Sequence, residues 1–185
     1  MELSRVISAD SHMTEPPDLW TSRLDKQFQD RAPHVVSHAD KDLWWCDNRL
    51  VMGMEFAINL GTRFEDASKI TDVGRFEDQT RGGYIPDERI KDIDTDGVYG
   101  EIMFPTYAFK LYNSVRDSEL LSACFRVYND WIGEFCSSYP ERLHSIAMLN
   151  VDDVSEGVAE LERCAKKGFA GAMITAYPPE TMQYN

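Results

Sequence analysis

Apolar residues change their spacing along this chain, and the changes mark out its elements. Arg5-Val6-Ile7-Ser8-Ala9-Asp10-Ser11-His12 reads as a short strand that turns polar at its end. Residues 13–83 hold no sustained period. Within them, Asp42–Cys46 and Arg49–Met52 read as a hairpin about the turn Asp47-Asn48. The rest of that stretch is polar and turn-rich, and predicts an insertion or cap.

Periodic structure resumes at Pro86. Proline suits the first turn of a helix, and Asp87 and Glu88 favour its positive end, so a helix is expected to about Thr95, stopped by Asp96-Gly97. Val98–Phe104 reads as a second strand, ended by Pro105. A longer helix starts at Asp117 or Ser118, with Leu121, Cys124, Tyr128, Trp131 and Phe135 forming one apolar core stripe. Tyr139-Pro140-Glu141-Arg142 breaks it, and Ile146–Val151 is a third strand. Asp153 or Ser155 opens another helix, with Val154, Val158 and Leu161 on one side and Gly168 as its stop. Phe169–Thr175 is the fourth strand, ended by Tyr177-Pro178-Pro179.

Strands alternating with helices imply right-handed crossovers and a parallel sheet. An open doubly wound sheet and a (β/α)8 TIM barrel share this order. The former should carry a Gly-rich phosphate loop after its opening strand, where this chain has Asp10-Ser11-His12-Met13. The barrel builds its site at strand C-terminal ends, where Asp10 and His12 sit. The expected fold is therefore α/β, the N-terminal half of a TIM barrel with a long insertion after strand one. It forms a single incomplete domain, with the insertion at 13–83 and βα units at 84–185.

Successive strand side chains alternate faces, so Asp10 and His12 point the same way and can act as a pair of divalent-metal ligands. Asp-x-His also opens the metallophosphoesterases, but their later Gly-Asp and Gly-Asn-His steps have no counterpart here. Asp92–Gly97 matches half of an EF-hand loop, yet position twelve is Met103 instead of Glu, so a helix end is the better reading. His34 and His38 lie in an apparent loop and read as surface residues, and His144 starts a strand at the wrong end for a barrel site. Phe104, Thr106, Tyr107, Asn150 and Tyr177 follow or end strands two to four and are candidates to line a substrate pocket. Glu15, three residues past His12, is a candidate to hold a ligand or contact substrate.

Composition narrows the classes. A chain of 185 residues, 43% hydrophobic and 28% charged, is about one globular domain. The net charge of −13 argues against nucleic acid as a partner. No apolar run approaches the roughly 20 residues of a membrane span, and no signal-peptide pattern opens the chain, so a cytoplasmic location is expected. Cys46, Cys124, Cys136 and Cys164 form no CxxC pair. Cys124 and Cys136 fall about 18 Å apart on one helix, too far for a disulfide, which favours reduced thiols.

Ile7-Ser8-Ala9-Asp10-Ser11-His12-Met13-Thr14-Glu15-Pro16, followed by Leu19-Trp20, resembles the opening of the amidohydrolase-related family. This branch of the amidohydrolase superfamily includes the aminocarboxymuconate-semialdehyde and resorcylate-type decarboxylases. Arg89 to Val98, Phe104-Pro105-Thr106, Tyr128-Asn129-Asp130-Trp131, Pro140-Glu141-Arg142-Leu143 and Gly168-Phe169 with Gly171 extend the resemblance in order. It implies a (β/α)8 barrel with Zn, or alternatively Mn or Mg, held first by a His-x-His or Glu-x-His pair. Asp10 departs from that pattern by shortening the first ligand. The family's remaining ligands, a His after strand five and an Asp after strand eight, and its catalytic His lie beyond the half represented here.

A whole barrel needs about 250 residues. Strands one and four would be left as open edges, so a missing C-terminal half or a homo-oligomeric partner is expected to complete the fold. The resemblance implies a divalent-metal-dependent hydrolase or non-oxidative decarboxylase acting on a small carboxylated, aromatic or cyclic compound. The contrasting expectation is a catalytically silent module or a dimerising half-barrel scaffold.

Overall fold

The computed structural model describes residues 5–54, 58, 59, 68, 70, 71 and 73–176. Strand β1 (Ile7–His12) leads into helix α1 (Leu19–Arg23) and a 3-10 segment (Lys26–Arg31). Three antiparallel strands come next, β2 (His34–His38), β3 (Lys41–Cys46) and β4 (Arg49–Gly53). Helix α2 (Pro86–Thr95) then feeds β5 (Gly100–Phe104). Helices α3 (Tyr107–Ser114) and α4 (Ser118–Ser137) precede β6 (Leu143–Met148), and α5 (Val154–Lys166) precedes β7 (Gly171–Met173).

Strands β1, β5, β6 and β7 form one sheet in that spatial order, and every adjacent pair is parallel. Each strand sits beside the next strand of the βα series, as it does around a barrel wall. The chain is thus the first half of a TIM barrel with a long insertion after its first strand.

The insertion shares the core of the βα units. Trp20, on α1, is fully buried, donates from Nε1 to the Cys124 carbonyl on α4 at 2.9 Å, and meets Trp44 edge-on at 5.3 Å. Trp44 in turn lies 5.1 Å from the ring of Tyr107. The hairpin expected at Asp47-Asn48 is present, with φ of 51° and 58° at the two turn residues, which suits their short polar side chains.

Three local readings change. His34 and His38 belong to β2, which pairs with β3 from His34 opposite Trp45 to His38 opposite Lys41. Strand β6 starts at Leu143, ahead of the expected Ile146, because Arg142 lies in register to bond Glu101. On α5 the Val154, Val158 and Leu161 stripe faces outward, while Gly157, Glu160 and Cys164 are buried. Gly157 allows that approach, since a Cβ there would stand 2.9 Å from the Asn150 carbonyl. Glu160 is buried because Arg163 and Asn129 hydrogen-bond its carboxylate.

Asn129 links three elements. It donates to the Met148 carbonyl at 3.0 Å and to Glu160 at 2.8 Å, and accepts from the Met148 amide at 2.8 Å. Replacing it with an apolar side chain strands a buried N–H, a carbonyl and part of a carboxylate. Asn129→Leu is expected to cost about 3 kcal/mol of unfolding free energy by urea titration. A loss under about 1 kcal/mol would show that the network does not tie these elements together.

Candidate active site

The rim begins with an irregularity in β1. Ser8 lies opposite Glu101 and Ser11 opposite Met103, so β1 spends one residue more than β5 over that interval. Such a bulge re-aims the side chains around it. Ser8 and Ser11 consequently share a face, with their hydroxyls 2.8 Å apart. Ser11 also donates to Glu101 at 2.8 Å. Glu101 is buried and grips Arg89 of α2 through two contacts, at 2.6 and 3.1 Å. Arg89 reaches on to the His12 carbonyl at 3.4 Å.

Above this buried unit, Asp10 and His12 emerge together. Asp10 Oδ1 lies 3.5 Å from His12 Nε2, and the side chains are 81% and 52% exposed. His12 Nδ1 is 2.8 Å from the Pro105 carbonyl. A carbonyl can only accept, so Nδ1 carries a proton, and in the neutral imidazole Nε2 then turns a lone pair toward Asp10. A lone pair and a carboxylate repel unless a proton or cation lies between them. Donors about 2.1 Å from one ion in tetrahedral array stand about 3.4 Å apart, and the observed spacing fits that bite. Among the described residues, no group of three or more His, Cys, Asp or Glu side chains is arranged to hold a metal ion.

The other sequence candidates divide between rim and interior. His12 pairs with Phe104 at the end of β5, and their rings are 6.2 Å apart. Thr106 Oγ1 is 3.4 Å from His12 Nδ1. Phe104 and Thr106 therefore belong with the Asp10 and His12 pair. Tyr107 is buried, with its hydroxyl accepting from Gln79 at 3.0 Å. Asn150 is also buried, with its amide donating to Ser118 and Ser122. Tyr177 lies outside the described residues.

Glu15 is fully buried, and its carboxylate accepts from the amides of Thr106, Tyr107 and Ala108 at 3.2, 2.9 and 2.9 Å. The amide contacts favour its charged form, but burial outweighs them and pushes the carboxyl up to about 7. Sequence reasoning missed Arg89, Glu101 and Ser11. The available signal was Glu101 itself, a charge within an otherwise apolar strand run, which implies a buried partner.

A parallel half-barrel with an Asp-x-His pair at its strand ends is an arrangement in which TIM-barrel sites are built. The comparisons agree. The chain is 29% identical over 97 residues to gamma-resorcylate decarboxylase of Rhizobium radiobacter, a match covering 52% of this chain and 29% of that protein. It superposes on an amidohydrolase of Mycobacterium avium subsp. paratuberculosis K-10 with a TM-score of 0.72 and 21% identity, over 94% of this chain and 50% of that one. A dihydroxybenzoic acid decarboxylase of Polaromonas sp. JS666, with bound manganese and the inhibitor 2-nitroresorcinol, superposes with a TM-score of 0.52 and 20% identity, over 94% of this chain and 39% of that one. No family model matches the chain. The resemblance to decarboxylase-type proteins of the amidohydrolase superfamily therefore holds, and the chain spans half or less of the length of these relatives.

The raised carboxyl of Glu15 sets a pH dependence. An acid that holds its proton more tightly when folded stabilises the fold fully below its unfolded pKa and loses that contribution as pH rises to its folded pKa. From 4.5 to about 7, the unfolding free energy of the wild type should fall by about 3 kcal/mol relative to Glu15→Gln. Urea titrations of both proteins at pH 4.5, 6 and 7.5 measure it. Parallel pH profiles would contradict it.

Proposed function

We propose that this chain supplies the N-terminal half of the site of a divalent-metal-dependent, non-oxidative decarboxylase acting on a small aromatic carboxylate. The observation that carries the reading is the Asp10–His12 pair, spaced for one cation at the C-terminal end of β1. Its support from relatives is the similarity to gamma-resorcylate decarboxylase across about half of this chain.

Asp10 would supply an anionic oxygen and His12 the Nε2 lone pair, a mixed donor set suited to manganese or zinc. When bound, such an ion offers positive charge to a substrate carboxylate and to the negative charge that develops as carbon dioxide leaves. Phe104 offers an apolar ring face beside His12, suited to packing an aromatic substrate. The Thr106 hydroxyl, within reach of the same imidazole, could bond a substrate oxygen. The acid that protonates the ring carbon as carbon dioxide is lost has no candidate among these rim residues. In this reading it comes from the half that completes the barrel, whether a longer protein or a second chain provides it. Strands β1 and β7, each paired on one side among the described residues, are where further strands would add.

Two protein donors alone hold an ion weakly, so the test is comparative. Manganese titration followed by electron paramagnetic resonance should show one site in the wild type, weakened more than about tenfold by Asp10→Ala and by His12→Ala. Asp153→Ala, an acidic change at the α5 N-cap, should leave it unaltered. Equal binding in all four proteins would mean that the ions bind only to the diffuse acidic surface, and would overturn the reading.

A further inference from the structure

We infer that Glu15 is a positioning residue that sets the orientation and tautomer of His12 from within the core. The inference rests on the reading of His12 as a metal donor. It adds a residue that touches neither the metal pair nor the surface.

Helix α3 starts without local help. Its N-cap residue, Thr106, makes no side-chain capping bond, and its first turn carries no acidic residue. The amides at 106, 107 and 108 are instead gathered by Glu15, more than ninety positions earlier in the chain. One carboxylate oxygen bridges Thr106 and Ala108, while the other takes Tyr107. Three such bonds fix both the start of α3 and the peptide before it. That peptide carries the Pro105 carbonyl, 2.8 Å from His12 Nδ1. Proline restricts its own φ, so anchoring Thr106 leaves this carbonyl little freedom.

The link closes into a ring. His12 and Glu15 sit three residues apart after β1, and Pro105 and Thr106 are adjacent after β5. The Met13 amide also donates to the Phe104 carbonyl at 2.9 Å, which pins the two strand ends together. Glu15 thus holds the acceptor that keeps the His12 proton on Nδ1 and frees Nε2 to face Asp10. Second-layer hydrogen bonds of this kind fix ligand imidazoles in metal sites generally. Neither Gln nor Asp can replace it. Glutamine would turn an NH2 group toward at least one amide N–H, and aspartate is one methylene too short.

The experiment uses the 185-residue chain uniformly labelled with 15N, without added metal, so it stands apart from the manganese titration. Long-range proton–nitrogen spectra report the tautomer of each imidazole. His12 in the wild type should show the Nδ1–H form. Glu15→Gln and Glu15→Asp should shift it toward a mixture with the Nε2–H form, while amide signals from α4 and β6 stay in place. Manganese affinity should fall about tenfold in the same variants. A wild-type His12 already in the Nε2–H form would overturn the inference even if neither variant folds. So would a His12 that stays Nδ1–H in a folded variant whose 106–108 amide signals have moved. Loss of the tautomer preference with no metal bound to any of the proteins would sustain the positioning role and discard the metal reading.

Discussion

One extra residue in β1 decides what reaches the rim. With the bulge between Ser8 and Ser11, both serines turn toward Glu101, and Asp10 and His12 are left exposed on the strand end. A bulge costs ladder hydrogen bonds, so something must hold it. Here the holder is the buried Arg89–Glu101 pair, which binds Ser11 from below and reaches the His12 carbonyl. Buried ion pairs add little net stability over apolar packing, but they penalise alternatives that leave a charge alone. The bulged register is the one that adds the Ser11 hydroxyl to this pair.

The rim therefore sits on two buried acids of different kinds. Glu101 is matched by a guanidinium, and Glu15, among the described residues, by backbone amides. Burial lifts the Glu15 carboxyl toward neutrality. Both tie β1 to its neighbouring βα unit: Glu101 lies on β5, and Glu15 grips the helix after β5. The pair at Asp10 and His12 is fixed from below by one and from the side by the other. That suits a site in which an ion would otherwise have to organise flexible donors at its own expense.

Much of this was legible in the sequence, and the misses have physical causes. The helices at Pro86 and Ser118 and the turn at Asp47-Asn48 rest on local signals, namely an N1 proline, an Asp117 cap and residues that tolerate positive φ. Helix α3 was invisible because its cap is Glu15, a contact across 91 to 93 positions. Strand β2 was lost beside Pro33 because its partner, β3, specifies it more than its own composition does. The stripe on α5 has helical spacing, but Gly157 and the Glu160 network chose the opposite face to bury. At the rim, Asp10, His12, Phe104 and Thr106 could be read from strand ends alone. Tyr107 and Asn150 come after strands too, but Gln79 and Ser118 take their polar atoms into the interior.

The central claim is spatial, namely that the bulged end of β1 offers Asp10 and His12 to a single cation. Crystals of this chain soaked in manganese, with diffraction collected at the manganese edge, locate such an ion without reference to activity. The account predicts an anomalous peak bounded by Asp10 Oδ1 and His12 Nε2, with Nδ1 still on the Pro105 carbonyl. A manganese peak elsewhere with that space empty, or a β1 whose Asp10 and His12 side chains face opposite ways, would contradict it.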